Sequence, residues 1–161
     1  MKIAHDLYAE TNPAFGTYAI VGFCREYESI STQSPSVALV YLALPIAMSR
    51  DTEKFFSGTN IRTGLLAWLN RHPGVRLDLG ARLDASLNMV SASLRLGLMS
   101  KALALVEDGA IGLGSNQPIK APVERLPAEP KKVIRRAERL GGWMGEAGSV
   151  GSIFSAFGVS L

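Results

Sequence analysis

A run of about twelve apolar residues, Val37 to Met48, constrains the fold more than any other stretch of the chain. It is too short to span a bilayer, which requires roughly 20 apolar residues. Because a helix that is apolar on all sides must also be covered on all sides, the run predicts a core helix surrounded by other elements. Pro45 should kink this helix or split it near Tyr41 and Leu42. A buried strand is the alternative, although the run is long for one.

The composition indicates one globular unit that can bury a substantial core. The chain has 161 residues, of which 47% are hydrophobic and 19% charged, with a formal net charge of +3 and an isoelectric point near 9.2. This apolar content is high for a soluble monomer and indicates surface that is covered in an assembly. The mild positive charge allows a basic patch but does not by itself indicate nucleic-acid binding.

The cysteine content and the first residues predict a cytoplasmic protein. Cys24 is the only cysteine, which excludes an internal disulfide framework and fits a reducing compartment. Residues 1–10 contain no apolar stretch of the kind found in signal peptides. We therefore expect a cytoplasmic chain that does not enter a membrane.

The first predicted helix begins at Asn12 and Pro13, an N-cap residue followed by proline at the first helical position. Apolar residues repeat at helical spacing over about 18 residues after it. Cys24 lies beside this apolar face, and only Arg25 stands next to it to activate a thiolate. A small buried side chain is therefore expected at position 24 rather than a nucleophile.

The middle of the chain predicts a winged helix-turn-helix. Helical patterns cover Ile61–Asn70 and Val75–Gly97, and Met99–Leu113 changes to a period of two around an Asp-Gly pair, a strong hairpin signal. Lys101 is the only basic residue near this wing, whereas a wing that grips DNA carries several. The expected fold class is mainly α (α+β), with a winged-helix-like domain at residues 1–114 used for protein contact. Residues expected to face its core include Ile61, Leu66 and Leu87.

The remaining residues predict a connector and a two-helix arm that packs on the core. Residues 115–130 contain four prolines, which exclude a regular helix or a central strand. Residues 131–161 predict two helices joined at a glycine-rich elbow. The first has an apolar face of Val133, Ala137, Leu140 and Met144 and a basic face of Lys131, Lys132, Arg135, Arg136 and Arg139. The glycines are Gly141, Gly142, Gly145 and Gly148, which either end a helix or let another backbone approach closely.

Reactive side chains are sparse, and no pattern predicts catalysis. The two histidines, His5 and His72, have no further histidine or cysteine at metal-ligand spacing. The glycine-rich run at residues 109–114 lacks the lysine of a phosphate-binding loop and does not lead from a strand into a helix. Asp78 and Asp84 lie on different helix faces without a partner base. We therefore expect no catalytic residues, no metal site, no cofactor and no enzyme activity.

Several short motifs are similar to those of one protein family. They are Asn12 to Phe15, the arginine-rich run Arg135 to Leu140, Gly142-Trp143, Gly148-Ser149, and Ile153-Phe154 through Gly158-Val159. With the apolar run and its internal proline, this pattern resembles the middle component of bacterial ABC three-component (Lamassu-like) systems over nearly the whole chain. The motifs consist of packing residues and not of a catalytic signature.

The resemblance implies a three-part bacterial antiphage or anti-plasmid system. An SMC- or Rad50-like ABC ATPase and a variable effector, such as a nuclease, would be coupled by this chain as adaptor, with DNA reached only through the complex. We expect partner contacts at Lys131, Lys132, Arg135, Arg136, Arg139, Gly142, Trp143 and Gly148. A purely solvated face is the other interpretation of the basic helix. The alternative function is a stand-alone winged-helix DNA-binding regulator, for which Arg76, Arg82 and Arg95 are the candidate base-reading residues.

Overall fold

The computed structural model describes residues 12–118 and 125–160, which form seven α-helices and one β-hairpin. The helices are α1 (Pro13–Ser31), α2 (Val37–Met48), α3 (Arg50–Glu53), α4 (Leu65–Arg71), α5 (Leu79–Met99), α6 (Ala128–Glu146) and α7 (Val150–Phe157). The strands are β1 (Leu103–Val106) and β2 (Ala110–Leu113), and short 3-10 turns lie at Lys54–Phe56, Pro73–Arg76 and Glu107–Gly109. The predicted mainly α (α+β) class is confirmed. The predictions for His5, residues 1–10 and part of the connector, 119–124, lie outside the described residues.

The centre of the fold is the pair of helices α1 and α6, which pack along each other over most of their length. Two glycines of α6 allow this close approach. A Cβ on Gly145 would lie 2.8 Å from the carbonyl oxygen of Tyr27, and a Cβ on Gly141 would overlap the carbonyl oxygen of Phe23. No side chain fits between the two backbones at these positions, so glycine is required there.

Three of the four glycines that were predicted to form an elbow between the terminal helices lie inside a helix instead, so the prediction is wrong for them. α6 begins at Ala128, inside the predicted connector, and continues unbroken through Gly141, Gly142 and Gly145 to Glu146. Only Gly148, with a φ of 101°, lies in the turn to α7. The helix continues because the contact with α1 compensates for the weak helix propensity of glycine.

The apolar run forms a helix, α2, as predicted. Nine of its twelve residues are buried, against α1, α5 and α6. Pro45 does not split the helix near Tyr41 and Leu42, because it stands in the last turn and only three residues follow it. Two of the last carbonyl groups are bonded nearby: Ser49 N–H donates to Pro45 O at 3.1 Å, and Thr52 Oγ1 donates to Ile46 O at 2.6 Å.

The helices predicted to form the helix-turn-helix have different principal neighbours. α4 packs mainly against α6, α7 and the turn Pro73–Arg76, whereas α5 packs mainly against α1, α2 and β1. The two helices and the hairpin follow each other in the predicted order. Their packing, however, gives no support to a paired helix-turn-helix unit.

Three residues expected to face the core are exposed instead, and those predictions are wrong. Ile61, Leu66 and Leu87 are 46%, 62% and 47% exposed. Helix α4 begins only after Gly64, because the side chain of Asn60 accepts from the N–H of Arg62 at 2.8 Å and caps a turn rather than a helix. In α5 small residues share the inner face with Val90 and Leu94: Ser93 is fully buried, and its carbonyl accepts from the hydroxyl of Thr17 at 2.8 Å.

The hairpin pairs β1 and β2 antiparallel, with Leu103 opposite Leu113 and Leu105 opposite Ile111. Its turn carries Asp108 and Gly109 in left-handed conformations, as the Asp-Gly signal predicts. On the far side of β2 the N–H of Ile111 donates to the carbonyl of Pro35 at 2.9 Å. β2 is therefore covered on both edges, while β1 is the outer strand. Of the helices in the described ranges, none combines the length and hydrophobicity needed to cross a bilayer.

We expect Cys24 to resist alkylation by iodoacetamide in the folded protein and to react only on unfolding. Its side chain is fully buried, and Sγ lies 3.7 Å from the carbonyl oxygen of Ile111. Burial, with a contribution from Glu28, raises the pKa of the Cys24 thiol, so the reactive thiolate is scarce. Labelling measured by mass spectrometry across a urea series should follow global unfolding. Rapid labelling of the native protein would contradict this expectation.

Candidate partner-contact surfaces

The five basic residues of α6 do not share one solvent face. Lys132 and Arg135 are exposed, Lys131 and Arg139 are half-buried, and Arg136 is buried with only 7% of its surface accessible. Positions 135 and 136 lie roughly 100° apart around a helix with 3.6 residues per turn, whereas Lys132 lies on the side of Arg136, one turn earlier. The basic face that the sequence indicates is therefore divided between the surface and the interior.

Arg136 holds the end of the apolar helix α2. Its Nε donates to the carbonyl oxygen of Ala47 at 2.8 Å, and its Nη1 lies 4.0 Å from Oε1 of Glu53. The carbonyl of Ala47 is one of the last four of α2, which have no partner within their own helix. A cation at this end also interacts favourably with the helix dipole. Burial lowers the pKa of Arg136, while the nearby carboxylates Glu53 and Glu129 oppose that shift.

Arg139 and Trp143 hold the loop that leads into α4. Nη1 of Arg139 donates to Thr59 Oγ1 at 3.0 Å, and Nε1 of Trp143 donates to the carbonyl of Asn60 at 3.1 Å. Burial lowers the pKa of Arg139. Both side chains lie one turn apart on the same side of α6 and fix the same short loop.

Trp143 also belongs to a buried aromatic cluster, at whose centre Trp68 contacts Phe56, Trp143 and Phe157. The Trp143 ring is stacked on Phe56 at 6.1 Å and tilted against Trp68 at 5.2 Å, and Trp68 meets the edge of Phe157 at 6.4 Å. Such contacts add about 0.5–1.5 kcal/mol per pair beyond the buried area. The cluster joins α4, α6, α7 and the turn Lys54–Phe56 into one core.

The structure therefore corrects the predicted contact set. Arg136, Gly142 and Trp143 are buried, and a Cβ on Gly142 would overlap Ile61. In this fold they cannot reach a partner, because neighbouring elements of the same chain cover them. Arg139 is half-buried and bonded to Thr59, which leaves Lys131, Lys132, Arg135 and Gly148 as the accessible or partly accessible members.

The exposed cations of α6 are paired with carboxylates. Nζ of Lys132 lies 3.6 Å from Glu53 and 3.3 Å from Glu129, and Nη1 of Arg135 lies 3.1 Å from Glu138. Mixed charges of this kind neutralise one another at short range. The surface thus offers both signs of charge to a protein partner, and a uniform positive field for phosphate is not formed here.

Two of the three arginines proposed to read bases have structural roles in this fold. Nε of Arg76 donates to Ala156 O at 2.8 Å, and Nη1 of Arg82 is bonded to the hydroxyl of Ser49. Arg95 alone of the three is exposed, and its Nε lies 3.4 Å from Ser91 O. A recognition helix needs several side chains free to reach base edges, and the DNA-regulator interpretation keeps only Arg95 of its three candidates.

Gly148 borders an open cleft of about 590 Å³ with a mixed polar and apolar lining. The cleft lies between the hairpin tip at Glu107 and Asp108, the loop after α1, and the start of α7 at Ser149. Across residues 12–118 and 125–160, no three His, Cys, Asp or Glu side chains come together in a way that could hold a metal ion. His72 packs its ring against Phe55, with centroids 5.6 Å apart.

The hairpin, which the sequence predicts to be used for protein contact, exposes apolar side chains around its outer strand, although the candidate contact residues did not include them. Met99 is 81% exposed and Leu105 69%, with Val106 and Leu96 also exposed. The sequence of β1 indicates such a surface, because it is apolar at every position and therefore places apolar side chains on both faces of the strand.

The fold and these surfaces define a mainly helical protein whose arginine-rich helix is built into the core and whose exposed features suit protein contact. A comparison with protein-family models matches residues 1–161 to the ABC-three component (ABC-3C) system Middle Component 3 family. The chain belongs to this family. No curated protein and no solved structure matches the chain.

Proposed function

We propose that this chain is a non-catalytic adaptor subunit that couples an SMC- or Rad50-like ABC ATPase to an effector in a bacterial antiphage or anti-plasmid defence complex. The observation that carries the proposal is the family match, which covers all 161 residues and identifies a middle component of a three-component system. The effector, for example a nuclease, is the third component, and the complex operates in the cytoplasm.

The adaptor works by differential contact. Foreign DNA engages the ATPase, and the ATPase changes conformation; the adaptor then releases or positions the effector. A relay of this kind requires the adaptor to bind two states of the ATPase with different affinities. A rigid body transmits such a difference best, and the backbone contact of α1 with α6 makes the centre of this chain rigid.

The contact with the ATPase is placed on the exposed beginning of α6, at Lys131, Lys132 and Arg135, with Gly148 at the other end of the helix. Lys132 is 55% and Arg135 47% exposed in their ion pairs. Exposed ion pairs contribute about 0–1 kcal/mol, so carboxylates of a partner can replace the intramolecular ones at little cost. DNA is reached through the complex and not by this chain alone.

We expect Lys132→Glu to weaken co-purification with the ATPase encoded beside this chain by at least about tenfold. The substitution places a third carboxylate beside Glu53 and Glu129 and reverses the sign presented to the partner. The measurement is a tagged pull-down from cells that express all three components. The matched control is Arg95→Glu, the same loss of charge on α5, which should leave recovery unchanged.

Two outcomes would overturn parts of this proposal. Equal recovery of the ATPase with wild type and Lys132→Glu would remove α6 from the interface. Failure of the wild-type chain to recover either neighbour, together with turnover of a small molecule that a single polar substitution abolishes, would replace the adaptor by an enzyme.

A further inference from the structure

The cleft that Gly148 borders contains polar side chains that have no partner in the described part of the chain. Some of its lining hydroxyls are bonded already: Ser34 Oγ donates to Glu28 Oε1 at 2.8 Å, and Ser149 Oγ lies 2.8 Å from Ser152 Oγ. Across residues 12–118 and 125–160, four other lining side chains make no hydrogen bond or ion pair: Tyr27, Gln33, Glu107 and Asp108. These four groups are therefore open to an occupant of the cleft.

Tyr27 reaches the cleft from the core of the protein. Only 7% of its surface is exposed, and its ring packs against Phe23 with the ring centroids 6.1 Å apart. Its hydroxyl has no hydrogen-bond partner in the described residues but is not enclosed by protein, so the accessible part of this buried side chain includes the hydroxyl. Polar groups of buried side chains are nearly always hydrogen-bonded. The hydroxyl of Tyr27 therefore indicates a polar occupant.

One wall of the cleft is acidic. Glu107 and Asp108 belong to the tip of the hairpin, and both are exposed. No lysine, arginine or histidine is among the described residues that line the cleft. An ionised carboxylate only accepts hydrogen bonds, and a tyrosine hydroxyl can accept as well as donate. An occupant that satisfies both is a cation that carries several donors.

We propose that this cleft binds an arginine side chain of a protein partner. The two carboxylates of the hairpin tip hold the guanidinium, which has five N–H donors in a planar fork, and the hydroxyl of Tyr27 accepts a further N–H. Val106, Ala110 and Val150 also line the cleft and cover the apolar stem of the arginine. The volume of about 590 Å³ lies in the range of ligand pockets, roughly 300–1,000 Å³, and leaves room for the peptide backbone on either side.

The test is an NMR titration of the isotope-labelled full chain with the peptide acetyl-Gly-Arg-Gly-amide. We expect amide shifts confined to residues that line the cleft. The same peptide with citrulline in place of arginine keeps the shape and loses the charge, so its dissociation constant should be at least about tenfold higher. A lysine peptide should bind at least about threefold more weakly than the arginine peptide, because an ammonium lacks the planar fork.

Two variants test the groups that hold the guanidinium. Glu107→Gln/Asp108→Asn should raise the dissociation constant at least about tenfold and keep the turn, since asparagine tolerates the left-handed conformation of Asp108. Tyr27→Phe should raise it at least about threefold and leave the urea midpoint unchanged, because the hydroxyl bonds to nothing in the described chain. The matched control is Asp84→Asn, which removes an exposed carboxylate of α5, outside the cleft, and should bind as wild type does.

Four results would each overturn the proposal. They are shifts that lie outside the cleft, a citrulline or lysine peptide that binds as tightly as the arginine peptide, full binding by Glu107→Gln/Asp108→Asn, and a cleft that takes none of the peptides and so holds solvent only. The adaptor function does not depend on this cleft, and the titration uses the chain without the ATPase or the effector, so the two proposals can fail separately.

Discussion

Gly141→Ala should lower the free energy of unfolding by about 3 kcal/mol, because the added Cβ would overlap the carbonyl oxygen of Phe23 in α1 and lie 3.0 Å from its carbonyl carbon. Alanine favours the helix interior by roughly 1 kcal/mol over glycine, so propensity acts in the opposite direction. We expect the overlap to outweigh the gain in helix propensity, because the added Cβ would meet backbone atoms of Phe23. These atoms can move only if the whole of α1 moves. Gly141→Val should leave no stable fold.

The measurement is urea unfolding followed by tryptophan fluorescence. Trp68 and Trp143, the chain's two tryptophans, both lie in the buried aromatic cluster and report on its loss. Gly151→Ala is the matched control, because its Cβ would meet nothing within 4 Å, and it should change stability by no more than about 0.5 kcal/mol. Gly22→Ala should fall between them, since its neighbour is the movable side chain of Glu138. Equal effects at positions 141 and 151 would contradict the close backbone packing.

Arg136→Met should cost about 2–3 kcal/mol of stability, because the buried carbonyl of Ala47 loses its donor. Methionine replaces much of the apolar stem of arginine, so the loss reports chiefly on the hydrogen bond and the helix end. The lost ion pair with Glu53 contributes less to the loss of stability, since the Glu53 side chain is 36% exposed and remains paired with Lys132 at 3.6 Å. Arg136→Lys should recover only part of the loss, because lysine lacks the planar guanidinium that reaches Ala47 beside Glu53.

The neighbouring residue supplies the control for this experiment. Arg135→Met removes the same side chain from a site that is 47% exposed, where it pairs with Glu138 across the helix surface. It should change the free energy of unfolding by at most about 0.5 kcal/mol. If Arg135→Met and Arg136→Met lowered the free energy of unfolding equally in the same urea assay, the assignment of Arg136 to the core would be wrong.

Local signals in the sequence predicted those elements that depend on local chemistry. Asn12 caps α1, with Oδ1 accepting from Phe15 N–H at 3.2 Å, and Gly158 ends α7 with a φ of 74°. The Asp-Gly pair formed the hairpin turn. The apolar run formed a helix because no other element of that length can bury all of its sides.

The candidate site could be predicted only in part, because long-range contacts decide which side chains are covered. Helical spacing puts Arg136 beside the apolar face of α6 and Arg135 opposite it, but only the structure shows that Ala47 and Glu53 lie over Arg136. The same holds for Gly142 and Trp143, which the loop around Asn60 and Ile61 covers. These residues belong to the motifs that identified the family. The prediction also assigned them to a contact surface, whereas in the structure they pack within the chain.

The pairing of α1 with α6 also has a consequence for synthesis of the protein on the ribosome. Residues 13–31 leave the exit tunnel long before residues 128–146, their main packing partner. α5 emerges earlier and packs on both α1 and α2, but the sides of these helices that α6 covers stay open until then, and contacts so distant along a chain form slowly. The nascent chain is thus exposed to chaperones and proteases for most of its translation, and only a ribosome that has passed α6 releases a chain able to fold.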